Sequence, residues 1–172
     1  MNPSLASLFE RRSIRRFTDT PIDDQTAQDL LEAAMAAPSA VACDPWHFIL
    51  VRDEATRHRM ADALPNGQML RQAPLGMLVC GDIEAAHGGE LSYLLQDCSA
   101  AVENLLLAAS MLGLGACWLG VHPRRERIRT MRDLFSLPDP ILPVAAVAIG
   151  HPAEQKAART RFRTEAVHRG TW

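Results

Sequence analysis

The sequence predicts one globular domain in which helices alternate with short apolar strands, and three observations carry that prediction. The chain has 172 residues, 48% of them hydrophobic and 22% charged, enough for a single sizeable core. Its middle, residues 91–113, repeats Leu94, Leu95, Cys98, Ala101, Val102, Leu105, Leu106 and Ala109 at the three-and-four spacing of a buried helical face. Around that helix stand unbroken apolar runs of strand length at 46–51, 73–80, 116–119 and 143–149.

The central helix sets the strongest demand. After Asn104 its polar face disappears, because LLLAASMLGL offers only Ser110. About 22 residues at roughly 1.5 Å rise make a rod near 33 Å long, whereas a compact chain of this length has a radius of gyration of about 16 Å. One chain struggles to cover such a rod, so part of the cover is expected from a second copy. Asp97, Glu103, Gln96 and Asn104 interrupt the apolar run too often for a membrane span. Beyond Gly113 and Gly115 the 116–119 strand runs into Gly120, where backbone N–H groups stand open to a planar ligand.

The remaining elements follow in order. Leu5, Leu8 and Phe9 mark a short amphipathic helix that leads into Arg11-Arg12-Ser13-Ile14-Arg15-Arg16-Phe17. Guanidinium groups this close repel one another unless an anion answers them; arginine forks beside a serine suit a phosphate, and a solvated basic turn is the plainer reading. Asp23 caps a second helix with Ala27, Leu30, Leu31 and Ala34 on one face, ended by Pro38. A loop pinned by Pro38 and Pro45 precedes the first strand, and a helix over 54–64 follows it. After Gly120, His122-Pro123 opens a basic helix with the stripe Ile128, Met131 and Phe135. Residues 153–172 are polar and arginine-rich without period, yet they end in Val167, His168 and Trp172, the composition of a docking arm.

Charge and cysteine usage narrow the class. A net charge of -2 gives no basic footprint for nucleic acid. Cys43, Cys80, Cys98 and Cys117 form no C-x-x-C pair and read as reduced core thiols, which suits the cytoplasm. The N-terminus has no apolar signal core. No spacing among His47, His122 and His168 resembles a metal site.

Taken together in order, R-R-S-I-R-R-F, A-P-S-A before P-W-H-F-I, Q-D-C-S-A-A-x-E-N-x-L-L-A-A, G-L-G-A-C-W-L-G, A-I-G-H-P-A-E and V-H-x-x-x-W resemble the FMN-dependent nitroreductase family, specifically its short members, over essentially the whole chain. The resemblance implies an α+β fold, a mixed sheet flanked by helices, in one domain over 1–172. It implies an intertwined homodimer with FMN at the subunit interface and 153–172 as an arm on the partner. It also implies that Arg11, Arg12 and Ser13 hold the FMN phosphate or ribityl chain, with Arg15 near the N1–C2=O edge. By the same resemblance Pro38, Ser39 and Ala40 pack on the flavin of the other subunit, and the Leu119 and Gly120 amides point at O4 and N5. Gln68 lies where members place a residue near the pyrimidine edge, and Arg159 and Arg161 close over the phosphate. Where members often carry asparagine and glutamine in the loop, this chain has Ala42 and Asp44.

The implied activity is hydride transfer from NADH or NADPH, through FMN, to a small-molecule acceptor of nitroaromatic or quinone type by a ping-pong cycle. No protein nucleophile or acid is required, since the flavin carries the chemistry. A flavin-binding module without turnover, suggested by Ala42 and Asp44, and a plain dimeric structural protein are the competing expectations.

Overall fold

A computed structural model describes residues 2–172; Met1, the first residue of the expected 1–172 domain, lies outside them. Strands β1 (Trp46–Val51), β2 (Leu75–Asp82), β3 (Gly115–Gly120) and β4 (Ile141–Gly150) form one sheet in the order β1-β2-β4-β3. Neighbouring strands are all antiparallel, and the parallel part of the mixed sheet is a bridge between Ser13 and Ala116 on the outer edge of β3. Helices α1 (Ala6–Glu10), α2 (Asp24–Met35), α3 (Glu54–Ala63), α4 (Leu91–Met111) and α5 (Arg125–Phe135) complete the α+β architecture. None of them is long and apolar enough to cross a membrane.

Strand alternation sorts the core into two layers. Leu75, Met77 and Val79 of β2, with Ala145, Val147 and Ile149 of β4, pack against α2 and α4. Leu78, Cys80, Ala146 and Ala148 turn the other way, onto Met60, Leu64 and Met131. With both faces covered, these strands read as continuous apolar runs rather than as an alternation. Burial also pushes the Cys80 and Cys98 thiols up to about 12, so they stay protonated and unreactive.

The central helix has the expected place and length. Leu94, Cys98, Ala101, Val102, Leu105 and Ala109 are fully buried, and Asn104 Nδ2 donates to the Ala33 carbonyl at 3.1 Å, fastening α4 to α2. Its C-terminal end is different: Met111 is 71% and Leu112 48% exposed, so the chain by itself leaves that end uncovered. Two helix limits depart from expectation. The second helix, whose cap Asp23 accepts from Thr26 N at 2.6 Å, stops at Met35 before Pro38 is reached, and α5 begins at Arg125, beyond His122-Pro123. In the tail Glu154 and Lys156 are half-buried; from Ala157 on it is exposed, with a single turn at Thr164–Ala166 and Trp172 stacked on His168 at 4.2 Å.

One close approach positions the arginine segment. A Cβ at Gly115 would sit 2.6 Å from Cγ2 of Ile14, well inside contact distance. Glycine at the start of β3 therefore lets Ile14 lie on the strand, where its N–H donates to the Ala116 carbonyl at 3.0 Å. The Gly115→Ala variant should lose about 1–3 kcal/mol of stability, the scale of overpacking, visible as a lower thermal midpoint. An unchanged midpoint would show that Ile14 is not held against β3.

Candidate functional site

The two ends of the chain are laced together beside β3. Phe17 bridges Pro152, and the tail then runs back along the N-terminal segment. Ala153 N donates to the Arg16 carbonyl at 2.9 Å, Arg15 N to Glu154 Oε1 at 2.6 Å, and Arg159 N to the Phe9 carbonyl at 3.1 Å. Lys156 Nζ donates to the Ser13 carbonyl at 2.7 Å and pairs with Glu154 at 3.1 Å, while the Arg12 guanidinium donates to the Ala157 carbonyl. The bond from Arg15 N–H, and then Lys156, holds the Glu154 carboxyl below its ordinary value, so it stays charged at neutral pH.

This lacing encloses a cavity of about 680 Å³ walled by Arg11, Arg12, Ser13, Arg15, Arg159 and Arg161, with Lys156 and Trp118. Crowding by Arg161, and next by Arg12, pulls the Arg159 guanidinium below its ordinary value. Arg11 departs from the picture of an arginine without a local carboxylate, because its Nε lies 3.1 Å from Glu103 Oε1. The pair makes no hydrogen bond, and that buried Nε is left without an acceptor. A cluster of cations whose cavity has one half-buried carboxylate, Glu103, in its wall is suited to an anion, and a phosphate fits it.

A second cavity, about 460 Å³, shares Arg15 and Trp118 with the first and is lined further by Gln68, Met69, Leu119 and Gly120. Its floor is fixed by a residue the sequence reading passed over: buried Arg57 donates from Nη1 to the Leu70 and Ala73 carbonyls at 3.0 and 2.5 Å. That pins the Gln68–Arg71 turn, which brings Gln68 and Met69 to the cavity. The Gln68 amide is committed at both ends, donating to the Ala61 carbonyl at 3.3 Å and accepting from Arg71 Nε at 3.0 Å.

Strand alternation separates Leu119 from Gly120. The Ala116 carbonyl points outward to Ile14, and Val121 N donates to the Val144 carbonyl of β4 at 3.2 Å. Counting by twos, the Gly120 backbone faces the open edge, whereas the Leu119 amide faces its partner Ala146 in β4. Of the two expected amides, then, Gly120 alone is presented outward, and Leu119 gives the cavity its side chain. Nothing obstructs Gly120: a Cβ there would meet only the His122 carbonyl oxygen, at 3.9 Å.

Pro38, Ser39 and Ala40 line neither cavity of this chain. Their loop is fastened to α4, with Ala40 N donating to Oδ1 of buried Asp97 at 2.9 Å. Asp44 N donates to Ser39 Oγ at 3.0 Å and the Ser39 hydroxyl donates back to Asp44, so the replacement at position 44 serves the loop itself. Val41, Ala42 and Asp44 all take left-handed φ, at 47°, 56° and 49°, a cost of order 1–3 kcal/mol each for residues with a side chain.

An α+β protein whose arginine-lined cavity opens onto a free strand edge is built to hold a flat, phosphorylated ligand. The Nitroreductase family model matches residues 8–68 and 62–151, and the chain belongs to that family. A protein of Archaeoglobus fulgidus provisionally named an NADH dehydrogenase/NAD(P)H nitroreductase is 42% identical over 175 residues, covering all of both chains. A solved structure from Parabacteroides distasonis with the same provisional name is 35% identical, with a TM-score of 0.93 over 100% of both chains. A provisionally assigned nitroreductase from Desulfovibrio desulfuricans, solved in complex with FMN, is 34% identical at a TM-score of 0.85, covering 100% of this chain and 99% of its own.

Proposed function

We propose that the protein is an FMN-dependent oxidoreductase that takes hydride from NADH or NADPH and passes it to nitroaromatic or quinone-like acceptors, the two half-reactions alternating at one site. The observation that carries this reading is the shared wall: Arg15 and Trp118 join a cavity of crowded guanidinium groups to a cavity at the open edge of β3. The FMN held by the Desulfovibrio relative supports it. FMN, when bound, supplies the two-electron chemistry, and the chain supplies binding, orientation and electrostatics.

Arg11, Arg12, Ser13, Lys156, Arg159 and Arg161 hold the phosphate by charge-assisted hydrogen bonds. Arg15 places a cation between the phosphate and ring cavities, where it favours negative charge developing on the ring. The Gly120 N–H donates to the ring edge, and the Leu119 side chain walls it. A second copy of the chain completes the site with its Pro38, Ser39 and Ala40, and the 153–172 arm, whose first part is laced to its own N-terminal segment, docks on that copy through its exposed end. Exposed Met111, Leu112, Phe162 and Trp172 support that assembly. The four free cysteines support a cytoplasmic setting.

Anaerobic titration of the FMN-loaded protein with NADH and NADPH tests the reading: the visible flavin band should bleach and return on adding a nitroaromatic or a quinone. Bound FMN that neither nucleotide bleaches would reduce the protein to a flavin-binding module. The phosphate role has its own test, since Arg161→Ala should weaken FMN by about 1.5–3 kcal/mol, the scale of a hydrogen bond to a charged group. Riboflavin, which lacks the phosphate, should bind variant and wild type alike; an equal loss for both ligands would contradict the assignment.

A further inference from the structure

The ring-side cavity has a cationic extension on its far side. Arg127, whose Nη1 holds the Gly120 carbonyl at 2.7 Å, lines that cavity and also a neighbouring groove of about 520 Å³. Arg124, Arg125, Glu126, Pro65 and Thr130 are among the groove's other walls. On the rest of α5 the arginines are answered by carboxylates: Arg129 lies 3.9 Å from Asp133, and Arg132 lies 3.2 Å from Asp139. Among the described residues Arg124, Arg125 and Arg127 have no such partner. Glu126 is the groove's lone carboxylate against three cations. A solvated helix face does not need that imbalance, but an anion site does.

FMN carries one phosphate, and the groove formed by the chain ends already receives it on the other side of Arg15 and Trp118. The groove on α5 therefore serves the other ligand that must reach the same ring cavity. We propose that Arg124, Arg125 and Arg127 bind a phosphate of the nicotinamide dinucleotide while its reducing end enters the ring cavity. This rests on the reading of the protein as an NAD(P)H-dependent flavin enzyme. The phosphate is either the diphosphate common to NADH and NADPH or the 2′-phosphate that only NADPH carries. Guanidinium forks suit both.

Calorimetric titration of the FMN-loaded protein with ADP and with adenosine 2′,5′-bisphosphate separates the two sources, because only the first carries the diphosphate and only the second the 2′-phosphate, and neither needs flavin reduction. Wild type should bind at least one probe, more weakly as salt is raised. The exposed double variant Arg124→Ala/Arg125→Ala should weaken that probe by about tenfold or more while leaving FMN affinity unchanged. Loss of ADP binding identifies the diphosphate contact, and loss confined to the bisphosphate identifies the 2′-phosphate contact and a preference for NADPH. Wild type that binds neither probe, or a double variant that binds both as tightly as wild type, would overturn the proposal. The underlying function fails separately: probes bound through these arginines, with FMN that neither nucleotide reduces, would leave the groove standing and remove the oxidoreductase.

Discussion

Like charges held together must be answered, and most of what surrounds the site follows from that. Arg11, Arg12, Arg15, Arg159 and Arg161 line one cavity. Backbone bonds from Arg15 to Glu154 and from Arg159 to Phe9 stitch the chain ends side by side, and Ile14 is seated against Gly115. That crowding pulls the Arg159 guanidinium below its ordinary value, and an anion bound among these arginines would relieve it. Glu154 and Lys156 form the clasp that keeps the tail arginines in place without neutralising them.

The same arrangement links the sheet to the chemistry. Because β3 is an edge strand, its outer side is available, and the N-terminal segment occupies only the part beside Ala116. The remainder, out to Gly120, lies open beside Arg15. The long helix α4 packs against β3. Under the proposed function, the outward N–H of Gly120 and the Arg15 cation would act on one ring, since both line the same cavity.

Much of this was legible in the sequence because it rests on local pattern. The apolar periods of α4 and of the strands, the Asp23 cap and the arginine cluster each announce themselves within a dozen residues. What depends on pairing across the chain did not. Which amide at the end of β3 faces outward is decided by register with β4 and by the bridge to Ser13, so Leu119 and Gly120 looked equivalent in the sequence. The roles of Arg57 and Glu154, and the Glu103 partner of Arg11, come from contacts between distant segments. Asp44, which stands where family members often carry glutamine, closes its own loop on Ser39, a bond that no sequence pattern announces.

The central claim is that FMN lies with its ring at the open edge of β3, and Gly120 tests it most directly. Purified Gly120→Val and Leu119→Met proteins should be compared for flavin content, FMN affinity and the flavin spectrum. The fold has room for a side chain at Gly120, so the valine variant should fold and yet lose FMN. The methionine variant, whose strand amide faces β4, should change FMN binding by less than about 1.5 kcal/mol. A folded Gly120→Val protein with full FMN content and an unaltered flavin spectrum would contradict the account.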